Sequence, residues 1–227
     1  MRERPSAIAC NPPRDSDDDH AHRIVVLGIG NVLWADEGFG VRCVEALAAG
    51  WRFGPQVQLV DGGTQGLYLI QHVQSAGKLL IFDAIDYGLP AGTLKQIEND
   101  DVPRFMGAKK MSLHQTGFQD VLAAAQMLGH YPQRLTLIGV QPACLEDFGG
   151  SLSPAVEARA AEALGLGLAE LAHWGVHAGV RTGAEAAPAL VDAALAQRAY
   201  ETGRPSAQLA CRLGDERFLP QTLAEIE

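Results

Sequence analysis

The sequence has few cysteines, no export signal and no long apolar run. The basic residues Arg2 and Arg4 near the start are not followed by the apolar segment of a secretory signal. The cysteines also lack any paired spacing, at Cys10, Cys43, Cys144 and Cys211. Together these absences predict a reduced, cytoplasmic protein. No run approaches the roughly 20 apolar residues of a membrane span, so direct membrane insertion is not expected.

Positive charge is also scarce. The chain has 18 Lys and Arg against 27 Asp and Glu, a formal net charge of −9. Nucleic-acid and anionic-membrane surfaces need clustered Lys and Arg, so we expect no nucleic-acid partner. Residues 11–22 are polar and rich in aspartate. Because such a segment buries too little apolar surface to offset its ordering entropy, residues 1–22 are predicted to be a mobile acidic tail.

The remaining pattern is that of one α/β domain. Short apolar runs alternate with amphipathic segments, which favours a single doubly wound, mostly parallel, twisted sheet of about five strands flanked by helices on both faces. This domain spans residues 23–175, and residues 176–227 are expected to be a C-terminal extension, partly helical or disordered. The predicted strands are 23–27, 57–60, 78–82, 92–98 and 135–140; the predicted helices are 38–49, 66–74, 112–129, 154–174 and a further one at 188–200, with 100–110 irregular.

The turn after the first strand looks like a nucleotide loop but has the wrong residues for one. Gly28 and Gly30 are followed by Leu33, where a dinucleotide fingerprint needs a third glycine. The turn then places Asp36 and Glu37 where a phosphate would sit. Because carboxylates repel phosphate and attract cations, no nucleotide cofactor is expected. A serine hydrolase is also unsupported, since no G-x-S-x-G elbow occurs.

Acidic residues follow the ends of three predicted strands. Ligands of open parallel sheets bind outside the carboxyl ends of the strands, and a later helix that begins near His114 faces the same edge. One Glu, one Asp and one His meeting there form an O,O,N set suited to a divalent ion. The residues at this edge are Asp36, Glu37, Asp61, Asp83 and His114.

Each of these residues also has a structural interpretation. Asp36 is a good helix N-cap, and Glu37 complements a helix dipole. Asp61 precedes two glycines, which favours an Asx-turn, and His114 lies inside a capping-box pattern. Asp83 is harder to explain in this way, because an uncompensated carboxylate at the end of a buried strand is costly.

Several segments resemble the hydrogenase maturation endopeptidases, which process nickel–iron hydrogenase large subunits. The similarity covers about residues 23–173, and G-H-Y-P at 129–132 with the extended C-terminus resembles the subgroup that serves uptake, often membrane-bound, hydrogenases. The segments are G-I-G-N-V-L-W-A-D-E-G-F-G-V (28–41), D-G-G-T (61–64), F-D-A-I (82–85), S-L-H-Q-T-G (112–117) and L-T-L-I-G-V-Q-P (135–142).

This resemblance implies an endopeptidase that removes the C-terminal peptide from the nickel-loaded large-subunit precursor. Glu37, Asp83 and His114 are the implied metal ligands, and the nickel is presented by the substrate. Asp36 or Asp61 is the candidate catalytic base, which leaves an aspartic-type and a metal-assisted mechanism open. Two alternatives also stay open: a chaperone that senses nickel in the precursor without cutting it, and a zinc peptidase that binds its own metal ion.

Overall fold

The computed structural model describes residues 22–106, 113–182 and 188–204, and within these ranges all side chains except those of residues 105–106 and 113–116. The predicted N-terminal tail therefore lies outside the described residues, apart from His22. The same holds for residues 183–187 and 205–227 of the C-terminal extension.

The centre of the molecule is a five-stranded sheet of order β3-β1-β4-β6-β5. The pairs β1–β3, β1–β4 and β4–β6 are parallel, and β5 runs antiparallel to β6 at one edge. The central strands are apolar and almost entirely buried, as expected for strands covered on both faces. The strands are β1 (Ile24–Ile29), β2 (Trp51–Arg52), β3 (Val57–Gly63), β4 (Lys78–Ala84), β5 (Leu94–Glu98), β6 (Arg134–Val140) and β7 (Gly179–Val180).

Helices cover both faces of this sheet, which confirms the predicted α/β fold. One core cluster includes Phe39 of α1 and Leu171 of α6, and the other includes Val73 of α2 and Phe118 of α4. No helix within the described residues is long and apolar enough to cross a bilayer. The helices are α1 (Phe39–Gly50), α2 (Ile70–Ser75), α3 (Asp101–Met106), α4 (Leu113–Met127), α5 (Pro154–Glu157), α6 (Ala160–His173) and α7 (Gln197–Gly203), with a first and a second 3₁₀ helix at Ala35–Gly38 and Gly66–Leu69.

The structure differs from the sequence prediction in its short elements. The segment predicted to be irregular contains α3, which buries Val102 in the core. The single helix predicted over 154–174 is divided into α5 and α6, and the helix predicted over 188–200 begins only at Gln197. Strands β2 and β7 pair with each other outside the main sheet and were not predicted, because two residues carry no measurable periodicity.

Candidate active site

Two glycines let the turn after β1 fold back onto the sheet. Gly30 has a φ of +131°, and a Cβ there would collide with the carbonyl oxygen of Glu37. A Cβ on Gly40 would collide with the carbonyl oxygens of Ile29 and Phe82. Because both glycines lack a Cβ, α1 begins in backbone contact with β1 and β4, and the first 3₁₀ helix lies at the carboxyl edge of the sheet.

Two of the predicted metal ligands are carried by elements that touch at this edge. Asp83 is the penultimate residue of β4, is aligned with Gly139 of β6 and is completely buried. Glu37 is half-buried in the first 3₁₀ helix, which packs against β4. Burial, and then the nearby charge of Asp83, raise the pKa of Tyr87. A buried carboxylate therefore ends the central strand, as the sequence predicts.

His114 lies in the first turn of α4, but its side chain is outside the described residues. The start of α4 packs on the second 3₁₀ helix, where a Cβ on Gly117 would lie 3.6 Å from the Cα of Gly66. That helix follows the end of β3, so the backbone of His114 is at the carboxyl edge. Among the side chains that the structure describes, no three His, Cys, Asp or Glu lie close enough to hold a metal ion. The ligand set of Glu37, Asp83 and His114 stays a prediction.

Asp61 forms the predicted Asx-turn. The backbone N–H of Gly63 donates to its Oδ1 at 2.9 Å, which confirms that interpretation. Burial raises the pKa of Asp61, while the Gly63 N–H and the charge of Arg42 act in the opposite direction. The carboxyl is thus held in a turn near a buried guanidinium.

The strand register separates Asp61 from Asp83. Gly28 of β1 is aligned with both Asp61 of β3 and Phe82 of β4. Aligned residues of parallel strands point to the same face of a sheet, and successive residues point to opposite faces. Asp61 therefore shares the face of Phe82, which is covered by α1, and Asp83 points to the opposite face, which is covered by α4.

The N-cap interpretation of Asp36 is wrong. The N-cap of α1, the helix that Asp36 was predicted to cap, is Gly38 and has no side-chain cap; Asp36 lies inside the first 3₁₀ helix, completely buried. Its carboxylate accepts four hydrogen bonds from the loop that follows β6: at Oδ2 from the Ala143 N–H at 2.8 Å, the Cys144 N–H at 2.9 Å and the Ser153 hydroxyl at 2.9 Å, and at Oδ1 from the Ser153 N–H at 2.6 Å.

Asp36 thereby fastens the turn after β1 to the loop of residues 141–153. The Asp36 N–H returns one further bond to the carbonyl oxygen of Cys144 at 3.2 Å. A buried carboxylate needs such donors to be stable, and charge-assisted bonds of this kind are the strong ones. The sequence gives no sign of this role, because the partners lie 107 to 117 residues away.

Gln141 is a second residue that sequence reasoning missed. Its Oε1 accepts the backbone N–H groups of Tyr87 at 2.7 Å and Leu89 at 3.1 Å, and its Nε2 donates to Asp86 Oδ1 at 2.9 Å. Gln141 therefore joins the loop after β4 to the loop after β6, beside an open cavity of about 320 Å³. The only signal in the sequence was its place in the last of the family-like segments.

Comparison with known proteins identifies the family. The family described as hydrogenase maturation protease matches residues 41–170, more than half of the chain. The chain belongs to this family. It is similar to the hydrogenase expression/formation protein HoxM of Cupriavidus necator, with 61% identity over 202 residues, which cover 88% of this chain and 100% of that protein.

Two relatives from Escherichia coli extend the similarity to structure. The hydrogenase 2 maturation protease is 43% identical over 157 residues, which cover 69% of this chain and 94% of that protein. The solved structure of the hydrogenase maturating endopeptidase HybD has a TM-score of 0.67 and 41% identity, and the match covers 70% of this chain and 98% of that chain. The sheet and helices described above are therefore those of a hydrogenase maturation protease. The HoxM relative also supports the predicted uptake subgroup.

Proposed function

We propose that the protein is a cytoplasmic endopeptidase that removes the C-terminal peptide from the nickel-loaded precursor of a nickel–iron hydrogenase large subunit. Membership of the hydrogenase maturation proteases supports the class of reaction. One observation supports placing the active site at this edge of the sheet. Asp83 is a completely buried carboxylate at the end of β4, and the 3₁₀ helix that carries Glu37 packs against β4.

Nickel in this proposal is part of the substrate. Glu37, Asp83 and His114 offer two carboxylates and an imidazole, a donor set that suits a divalent transition metal. Three protein ligands leave coordination positions for groups of the precursor. Because the precursor brings the metal, the protease engages only a subunit that has been loaded, which explains how metal loading is checked before cleavage.

Cleavage requires a positioned peptide bond and a water molecule. A metal ion at this edge supplies Lewis acidity toward a carbonyl oxygen or a water molecule. Asp36 contributes by holding the loop of residues 141–153 in place, since both of its oxygens already accept hydrogen bonds. Asp61 points to the other face of the sheet from Asp83, so we propose a role in the turn rather than in proton transfer.

Mass spectrometry of the purified precursor tests the function. We expect loss of the C-terminal peptide when the nickel-loaded precursor is incubated with this protein, and no change in the nickel-free precursor. Glu37→Gln, Asp83→Asn and His114→Ala should each reduce processing at least about 100-fold while the protein stays folded. His173→Ala at the end of α6 and Glu98→Gln on β5 are matched controls at exposed positions and should process normally.

Three outcomes would contradict the proposal. An unchanged precursor mass in the nickel-loaded sample, with binding intact, would identify a nickel-sensing chaperone. Stoichiometric zinc in the purified protein, together with loss of activity on chelation, would identify a zinc peptidase. Normal processing by His114→Ala would remove that residue from the metal site.

A further inference from the structure

Residues 188–204, the longer of the two described parts of the C-terminal extension, lie against the domain and are called the C-terminal strap here. Its first anchor is Arg42 of α1, which is only 6% exposed. Arg42 Nη1 donates to the carbonyl oxygen of Leu195 at 2.6 Å, and the guanidinium lies 5.6 Å from the centre of the Tyr200 ring. A buried cation of the domain is therefore covered by the strap.

Two further hydrogen bonds hold the strap. The backbone N–H of Gln197 donates to Glu45 Oε1 of α1 at 2.9 Å. The Ser151 hydroxyl donates to Glu201 Oε1 at 2.6 Å, and this bond lowers the pKa of the Glu201 carboxyl. Since Ser151 belongs to the loop that Asp36 holds, the strap and that loop are fixed to each other.

A groove of about 320 Å³ lies between the strap and the domain. The wall formed by the domain includes Leu33 and Phe148, and the wall formed by the strap includes Ala199, Tyr200 and Arg204. The lining is mostly apolar, with one guanidinium at Arg204. Its chemistry fits an apolar peptide segment that carries a carboxylate.

The wall that the domain contributes to the groove belongs to segments that also form the candidate active site. Leu33 is in the turn that runs from Gly30 to Glu37, and Phe148 is in the loop that Asp36 fastens. The turn and the loop are in contact here, because the Trp34 and Phe148 rings pack against each other with their centres 5.3 Å apart. The groove therefore lies beside the turn that carries Glu37, within reach of a polypeptide bound at that turn.

The lengths of two relatives indicate that membership of this family does not require the strap. The match to HoxM covers 88% of this 227-residue chain, so it includes residues 188–200 wherever it begins. The match to the hydrogenase 2 maturation protease of Escherichia coli spans 157 residues and covers 94% of that protein. A protein of that length is too short to extend from β1 to α7. Hydrogenase maturation proteases thus occur with and without a sequence counterpart of residues 188–200.

We propose that the groove binds an apolar segment of the large-subunit precursor, with a carboxylate of that segment on Arg204, and that the strap selects which precursors are processed. This inference rests on the proposed function. It gives the C-terminal extension a role in substrate specificity that the hydrolytic step itself does not require.

Filling the groove tests the proposal. Ala199→Trp places a bulky side chain in the groove, and Arg204→Glu reverses its charge. We expect each to weaken binding of the purified nickel-loaded precursor and to raise KM at least about tenfold with kcat unchanged, because the groove contributes uniform binding rather than transition-state stabilisation. Met127→Trp, at an 89% exposed position on the other face of the molecule, is the matched control and should change neither quantity.

Binding is measured by surface plasmon resonance with Glu37 intact and with a nickel-loaded precursor that carries proline directly after the scissile bond, so that it is not cleaved. Weaker binding by both variants without cleavage by the parent protein would support the groove and reject the endopeptidase function. Unchanged binding and KM in both variants would overturn the groove proposal, and circular dichroism verifies that each variant is folded. Tighter binding after removal of residues 205–227, with no effect of Ala199→Trp, would show that the chain's own C-terminus fills the groove and would also overturn it.

Discussion

The carboxylate of Asp36 accepts more hydrogen bonds than a helix cap would. Asp36→Ala removes a completely buried carboxylate and leaves three N–H or O–H donor groups at Oδ2 and one at Oδ1 without their acceptor. We expect the free energy of unfolding to fall by more than about 3 kcal/mol, beyond the range of about 0.5–2 kcal/mol for a lost cap. Urea denaturation measures this, and Ser153→Ala, which removes only the hydroxyl donor, should cost about 1 kcal/mol.

The same variant distinguishes the positioning role proposed for Asp36 from the catalytic role that the sequence predicts. A positioning residue loses activity because the loop of residues 141–153 moves, and stability falls with it. If Asp36→Ala instead abolished processing and left the denaturation midpoint unchanged, Asp36 would be a catalytic group.

Asp61 is suited to a neutral replacement. Asn keeps the side-chain oxygen that accepts the Gly63 N–H, and it removes the charge that burial disfavours. We expect Asp61→Asn to retain processing, because Asp61 points to the face of the sheet opposite Asp83. Loss of processing in a stable Asp61→Asn protein would show that Asp61 accepts a proton in the reaction.

Asp61→Asn should also change how stability depends on pH. Because the pKa of Asp61 is raised in the folded protein, the charged form opposes folding at neutral pH, and this opposition disappears as pH falls through the folded pKa. The Asn variant should therefore be more stable than wild type at pH 7, and the difference should shrink in acid. Thermal unfolding at pH 7 and pH 4 measures it; an equal difference at both would contradict the assignment.

Sequence separation decides which of these residues can be interpreted without a structure. The Asx-turn of Asp61 involves a residue two positions away, so the local pattern D-G-G predicts it correctly. The partners of Asp36 lie more than 100 residues away, and no local pattern reports them. The sequence predicts a cap for Asp36 because that prediction uses only the residues adjacent to Asp36 in the chain.

At the scale of elements, the close contact between α1 and the sheet depends on Gly40. Gly40→Ala would drive a Cβ into the backbone of Ile29 and Phe82, so α1 and the first 3₁₀ helix must move together. We expect lower thermal stability and strongly reduced processing, because Glu37 moves with that helix. Gly165→Ala in α6 is the matched control: no atom lies within 4 Å of the added Cβ, and stability should rise by about 0.5–1 kcal/mol. Normal processing by Gly40→Ala would show that the site tolerates this displacement.

Elements with strong patterns were predicted well and those with weak patterns were not. Strands β1, β4 and β6 are continuous apolar runs because both of their faces are covered, and length and composition identify such runs. Helix α3 and the β2–β7 pair are too short for any period to appear, and their formation depends on contacts with distant parts of the chain.

At the scale of the whole molecule, the order of the elements was sufficient to predict a doubly wound sheet, because parallel strands need crossover helices. The placement of the C-terminal strap could not be predicted. Its contacts with Arg42, Glu45 and Ser151 are mostly polar and span 50 to 153 residues of sequence, so they leave no apolar period in the strap.

The hydrogen bonds of Asp36 also have a consequence for biosynthesis. They close a loop of more than 100 residues, and loop closure over such a length is an entropic barrier that local elements do not face. The turn after β1 leaves the ribosome long before Ala143 and Ser153 do. A nascent chain therefore holds Glu37 and Asp83 before the loop that fastens Asp36 has emerged, and the site is complete only after Ser153 has left the ribosome.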